Sequence, residues 1–190
     1  LGVSAVSLTD SLVLLSDGSE VPAELVIMAI GVRPDIELAS KAGLAIGIRK
    51  GIAVDEFNRT SDQDIYAIGD AAEKTDALDG SATLVPLANI ANRHGRIVAD
   101  HISGRMTRPV KTIGTAIVKV FDLTIATTGW NEKRLNSSGR AHMSIHTHPN
   151  SHAGYYPDAK QMTLKLIFHP ETSEILGAQG VGFEGDRKSV

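Results

Sequence analysis

The sequence predicts a mixed α/β segment followed by an α+β unit built on an antiparallel sheet. Three observations carry this. Leu25-Val-Ile-Met-Ala-Ile30 is an apolar run that stops at Gly31, the pattern of a strand covered on both faces. From Leu87 to Ile102, apolar Leu87, Ile90, Ala91, Ile97, Val98 and Ile102 keep helical spacing, with Pro86 in the first turn, where proline is tolerated. Residues Ala141 to His148 and Met162 to Phe168 alternate instead, the period of half-buried strands.

The remaining elements follow in order. Residues 3 to 9 alternate, and Leu12 to Leu15 is a second short strand, with Asp17-Gly18 supplying turn chemistry for a hairpin. Pro34 keeps Arg33 out of helical geometry. Asp35 caps a short helix to about Ala42, stopped by Gly43. Gly51 to Asp55 and Ile65 to Ile68 read as strands, the latter ending at Gly69-Asp70, and residues 74 to 83 as an irregular connection. Gly104 ends the long helix. Arg105 to Lys111, with Pro109 and several charges, marks a domain boundary. Beyond it, Gly114 to Val120 and Leu123 to Thr128 form two strands joined by Phe121-Asp122. Asn131 caps a helix to about Asn136, closed by Ser137-Ser-Gly139, and Glu174 to Gln179 is a last strand.

Bulk properties exclude several classes. At 190 residues the chain accommodates one sizeable domain or two small ones. A net charge of -3 gives no polyelectrolyte reason to expect nucleic acid. No apolar run approaches the length of a membrane span. The absence of Cys excludes disulfides, thiolate metal sites and a cysteine nucleophile within these residues, and permits a reducing, cytoplasmic setting. Opening on strand-like sequence at Leu1 and ending at Gly185-Asp-Arg-Lys-Ser-Val190, the chain reads as an excised piece.

The first informative constellation is Thr60-Ser-Asp-Gln-Asp-Ile-Tyr-Ala-Ile-Gly-Asp70 with the helix that starts near Pro86. An apolar strand ending in Gly-Asp puts a carboxylate at its C-terminal edge, where doubly wound sheets bind ligands. Gly69, lacking a Cβ, admits close approach of a cofactor. On spacing alone Asp70 has two readings: a cap on a following helix, or an acceptor for sugar-like hydroxyls.

The stretch Leu25 to Asp70 resembles the pyridine-nucleotide-disulfide oxidoreductases, the glutathione-reductase-like flavoproteins. Ala29-Ile-Gly-Val-Arg-Pro34, with Gly31, is similar to the segment that closes their NAD(P) domain. Thr60 to Asp70 is similar to their second FAD fingerprint. The resemblance implies that Asp70 hydrogen-bonds a ribityl hydroxyl of FAD and that the Ala71 backbone lies beside the flavin. Pro86 to Arg96 resembles the helix whose N-terminus points at the pyrimidine edge of the isoalloxazine. There the free N–H groups of Leu87 and Ala88, with the helix dipole, would stabilise negative charge on the reduced ring. Asn92, Arg93, His94 and Arg96 are expected on a solvated or interdomain face.

The second constellation, His142 to Pro157, holds four of the seven histidines. His146 and His148 share a strand face, but no nearby carboxylate or thiol completes a metal site, and none is expected. Tyr155-Tyr156 reads as packing aromatics at a subunit seam. The segment also resembles the coenzyme A disulfide reductase branch, with its NADH oxidases and persulfide reductases, which carries a similar His-x-Gly-Tyr-Tyr-Pro stretch in a C-terminal dimerisation domain. Gly129-Trp130 matches that domain's early part. The resemblance implies that Tyr155 or Tyr156 crosses a homodimer to the partner's cysteine, where a phenol assists thiol chemistry. Arg187 and Lys188 would meet coenzyme A phosphates.

Under this reading, residues 1–34 end an NAD(P)-binding domain, residues 35–108 are the C-terminal part of an FAD-binding domain, and residues 109–190 are a truncated dimerisation domain. NAD(P)H would reduce FAD, FAD a cysteine, and the cysteine a coenzyme A disulfide or persulfide; an oxidase or peroxidase parent is the alternative. The sequence departs from the family in lacking the N-terminal Gly-x-Gly-x-x-Gly loop for FAD, the second such loop for NAD(P) and the redox cysteine. The chain alone is therefore expected not to turn over, and a cofactor-free dimerisation module is the rival description.

Overall fold

The computed structural model describes residues 2–109 and 111–183. The chain divides between Arg33 and Pro34 into two compact units. The first is a three-stranded antiparallel meander, β1 (Ala5–Leu8), β2 (Leu12–Leu15) and β3 (Glu20–Pro22), in sheet order β1-β2-β3. Its second turn forms as expected from Asp17-Gly18, whose carboxylate Oδ1 accepts from Ser19 N at 3.0 Å. The apolar run that follows does not form the expected strand: Leu25, Ile27 and Ile30 are 78, 79 and 84% exposed. A parallel strand exists only through neighbours on both sides, and no described strand pairs with this one. Gly31 lies in the same irregular stretch with φ +78°.

The second unit opens with α1 (Glu37–Lys41), which stops after Ala42. Its N-cap is Ile36, without a side-chain cap, rather than the expected Asp35, which sits one residue earlier and accepts at Oδ1 from Glu37 N. The strands expected at residues 51–55 and 65–68 are reduced to isolated bridges, Ile52 with Ile46 and Ala72, and Arg59 with Tyr66. The expected irregular connection contains a small hairpin, β4 (Lys74–Thr75) and β5 (Ala82–Thr83). Helix α2 (Ala88–Ile102) takes Leu87 as its N-cap residue, so Pro86 sits one position before the cap rather than in the first turn.

The chain then builds β6 (Thr115–Val120), β7 (Leu123–Gly129), α3 (Glu132–Ser138), β8 (Met143–Thr147), β9 (Thr163–Phe168) and β10 (Ile175–Gly182). The five strands form one antiparallel sheet in the order β6-β7-β10-β9-β8. The Asn131 side chain caps α3 by accepting from Arg134 N at 2.9 Å. Leu135 of α3 packs on one sheet face in a core with Trp130, Ile167 and Leu176. Glu132 secures the same helix by pairing with Lys165 and accepting from Ser144 Oγ. Gly177 permits the closest contact: a Cβ there would overlap the Trp130 carbonyl oxygen. The other face stays apolar and open, with Ile117, Met143 and Ile145 each about half exposed. No helix among the described residues is long and apolar enough to cross a membrane.

The β4–β5 hairpin is bound to this sheet by Asp76. Its buried carboxylate accepts from Trp130 Nε1 at 3.0 Å, Arg134 Nη2 at 2.8 Å and Leu78 N at 2.8 Å. Thr112 N and Ala77 N exchange backbone bonds with Thr75 and Thr112 beside it, and Leu78 packs on the Trp130 core. Replacing Asp76 by Ala strands a buried indole N–H and an arginine. The expected loss is about 2–4 kcal/mol of unfolding free energy in a urea titration, whereas Lys133→Ala on the exposed side of α3 should leave the midpoint unchanged.

Candidate functional site

The turn at Gly69-Asp70 is fixed from below. Ile52 N donates to the Ala71 carbonyl at 2.7 Å and Glu73 N to the Ile52 carbonyl at 2.9 Å, and Ala72 is fully buried. Gly69 takes φ +78°, a conformation that glycine adopts without penalty. Lys74 completes the turn: its buried ammonium donates to the Ala72 carbonyl at 2.7 Å and to the Gly69 carbonyl. Burial pushes the Lys74 pKa down, and the Asp70 charge opposes that shift. Asp70 is exposed and accepts no hydrogen bond from the described residues. No helix follows it directly, since residues 70–87 form the turn, the hairpin and the approach to α2; the capping reading is therefore overturned.

The first turn of α2 lies along the same surface. Ile68, two residues before Asp70, lines an open groove with Ala88, Ala91, Asn92, Gly95 and Arg96. Leu87 N donates to the Val85 carbonyl at 2.9 Å, so this amide, expected to face a ligand, is spent inside the protein. Asn89 ties the helix start to the sheet by donating from Nδ2 to the Thr115 carbonyl at 3.2 Å. Leu87 and Ala88 line a second groove with Thr115, Ala116, Ile117 and Ala126.

Tyr155 and Tyr156 ride on the β8–β9 loop, 85 and 62% exposed, with ring centroids 5.0 Å apart. The α2 N-terminus abuts β6, one edge of the sheet, and this loop belongs to β8, the other edge. One chain does not bring the two together. Gly31 belongs to the first unit, and Arg187 and Lys188 lie outside the described residues. No metal-ligating cluster occurs among the described residues, and His148 Nδ1 pairs instead with Thr163 Oγ1 at 3.1 Å.

Sequence reasoning missed Lys74, Asp76 and His94. His94, expected with Asn92, Arg93 and Arg96 on a solvated or interdomain face, is 3% exposed within this chain, whereas the other three are exposed. The signal was available, because Leu87, Ile90, His94 and Ile97 fall on one helical stripe. Lys74 and Asp76 sit in a stretch without periodicity, so nothing local announces them.

Two family models match the chain. Pyridine nucleotide-disulphide oxidoreductase covers residues 2–95, and the pyridine nucleotide-disulphide oxidoreductase dimerisation domain covers residues 115–188. The chain belongs to the pyridine nucleotide-disulphide oxidoreductase family. It is 34% identical over 171 residues to the NAD(P)H sulfur oxidoreductase (CoA-dependent) of Pyrococcus furiosus, covering 90% of this chain and 39% of that protein. Reduced CoADR-RHD of Bacillus anthracis superposes with a TM-score of 0.88 at 47% identity, over 98% of this chain and 34% of that one. An NAD-dependent persulfide reductase from A. fulgidus gives 0.85 at 39% identity, over 98% and 35%. The chain thus spans about two fifths of the curated relative's length.

Burial chiefly, then the Lys74 and Arg93 charges, hold the His94 pKa below its ordinary 6.5. The unfolded chain therefore binds a proton near pH 6.5 that the folded chain resists, and stability falls as pH drops from 6.5 through the folded pKa. In urea titrations across this range, His94→Gln should flatten that part of the pH profile; an unchanged slope would assign it to other groups.

Proposed function

We propose that this chain supplies the flavin-contacting edge and the subunit interface of an FAD-dependent NAD(P)H oxidoreductase whose acceptor is a coenzyme A disulfide or persulfide. Residues 1–34 would close its NAD(P)-binding domain, residues 35–108 complete its FAD-binding domain and residues 109–190 form its dimerisation domain. The observation that carries the reading is the Asp70 carboxylate, displayed outward without a hydrogen-bond donor of its own on a turn fixed by Lys74 and Ile52. The names of the relatives, a CoA-dependent sulfur oxidoreductase and a persulfide reductase, support the acceptor class.

The residues present fit FAD. Asp70 offers a charged acceptor for a ribityl hydroxyl, with the Gly69 and Ala71 backbone free of bulk beside it. Ala88 opens a helix of 15 residues whose positive dipole end favours an electron-rich ring edge. FAD, when bound, would relay two electrons from the nicotinamide to a disulfide, which is cleaved to two thiols. The phenol of Tyr155 or Tyr156, carried across a two-fold interface, would hydrogen-bond a thiolate or give a proton to a leaving thiolate. The open apolar face with Ile117, Met143 and Ile145 supports a homodimer through residues 109–190.

In the intact enzyme, Asp70→Ala should weaken FAD retention roughly ten- to a hundredfold, the loss of one charged hydrogen bond, read as flavin released on dilution. Undiminished occupancy would remove Asp70 from the cofactor site. Assayed with NAD(P)H, the enzyme should consume coenzyme A disulfide or persulfide; turnover with oxygen alone would overturn the acceptor assignment.

A further inference from the structure

The loop that carries the tyrosines is closed by its own side chains. At its neck, Ser151 N donates to the Lys160 carbonyl at 2.8 Å, Lys160 N donates back to Ser151 Oγ at 3.2 Å, and Asn150 bridges Gln161. Above the neck, His152 spans the loop. Its Nε2 lies 3.0 Å from the Pro157 carbonyl oxygen and its Nδ1 lies 3.1 Å from Ser151 Oγ. A carbonyl only accepts, so Nε2 carries the proton and donates to it. In the neutral ring Nδ1 then accepts from the Ser151 hydroxyl, which in turn accepts from Lys160 N–H. Every partner in this relay is matched.

The ring so closed encloses residues 153–156. Inside it Tyr156 N donates to the Ala153 carbonyl at 3.0 Å, and the Tyr156 ring meets the His152 imidazole edge-on, centroids 6.5 Å apart at 70°. Tyr155 leans on Tyr156. Both phenols are otherwise exposed, on a surface excursion with no core beneath it. Two solvent-facing aromatics on an open loop would sample many orientations, and the cost of ordering them would fall on substrate binding.

We infer that His152 is a positioning residue, which clips the loop through Pro157 and holds the Tyr155–Tyr156 pair in one orientation for the disulfide or persulfide substrate. This rests on the reading of the tyrosines proposed above. The clip does not depend on protonation of the ring: a second proton on Nδ1 would be accepted by the free lone pair of Ser151 Oγ.

The test uses three substitutions at this position. Glutamine carries its Nε2 as many bonds from Cα as the imidazole does and can still reach the Pro157 carbonyl; asparagine falls one atom short, and alanine offers nothing. In the intact flavoenzyme, His152→Ala and His152→Asn should lower disulfide or persulfide turnover by roughly ten- to a hundredfold. The rate of flavin reduction by NAD(P)H should hold, and His152→Gln should restore most of the loss. Amide exchange at Tyr156 should quicken in the Ala and Asn variants and not in Gln. Full turnover in His152→Ala, or a Gln variant as impaired as Ala, overturns the inference. Tyr155→Phe and Tyr156→Phe separate this from the parent reading. If both keep full turnover while His152→Ala does not, the hydroxyl chemistry fails and the clip stands, acting on the rings.

Discussion

The second unit depends on one buried carboxylate. Asp76 meets three donors from three places: a backbone amide of its own hairpin, the Trp130 indole after β7, and the Arg134 guanidinium in α3. Its charge would be costly in the core alone, because desolvation of an ion amounts to several kcal/mol. Three features offset that cost. Two of the contacts are matched donors in dry surroundings, Arg134 stacks over the Trp130 ring at 3.9 Å, and the guanidinium keeps 42% of its side-chain surface in water. The net stabilisation is modest, and the gain in specificity is larger. Only one placement of the β4–β5 hairpin satisfies all three donors, so the Gly69-Asp70 turn just upstream is indexed to the five-stranded sheet.

Lys74 extends the same logic toward the site. A buried ammonium is normally excluded, yet this one neutralises the carbonyl dipoles of Gly69 and Ala72, which a tight turn leaves pointing inward. The turn is thereby held open on the other side, with Asp70 facing out. The Asp70 carboxylate and the Lys74 ammonium thus lie on opposite sides of the same few backbone atoms. Neutralising the lysine would free the turn, while neutralising the aspartate would leave it intact and change only what it can bind.

The legibility of the sequence tracks how local each determinant is. The antiparallel half could be read residue by residue. Alternation in β8 and β9, Asn131 as a cap, and the Gly139 stop after α3 are decided within a few positions. The α/β half was legible in type and not in form. Leu25 to Ile30 and Ile65 to Ile68 have strand composition, but a parallel strand is made by partners distant in sequence, and among the described residues these partners do not occur. The site divides the same way. Gly69-Asp70 stood out through its abrupt strand end. Lys74 and Asp76 act through contacts that no spacing encodes, and His94 was misjudged because its polarity outweighed its place on the apolar stripe of α2.

The sheet order sets a geometric constraint on any chemistry that joins these parts. Residues 87–89 start α2 against β6, and the tyrosine loop hangs from β8, so the full width of five strands separates them within one chain. The packed core under α3 does not let the sheet fold up to close that distance. A reaction that needs both a flavin at α2 and a phenol from the loop must therefore draw them from different copies. A two-fold operator satisfies this at no extra cost, because each contact it makes is made twice. Placed on the apolar face at Ile117, Met143 and Ile145, such an operator would cover that face in the same step. Covering that face and completing the site would then be a single event.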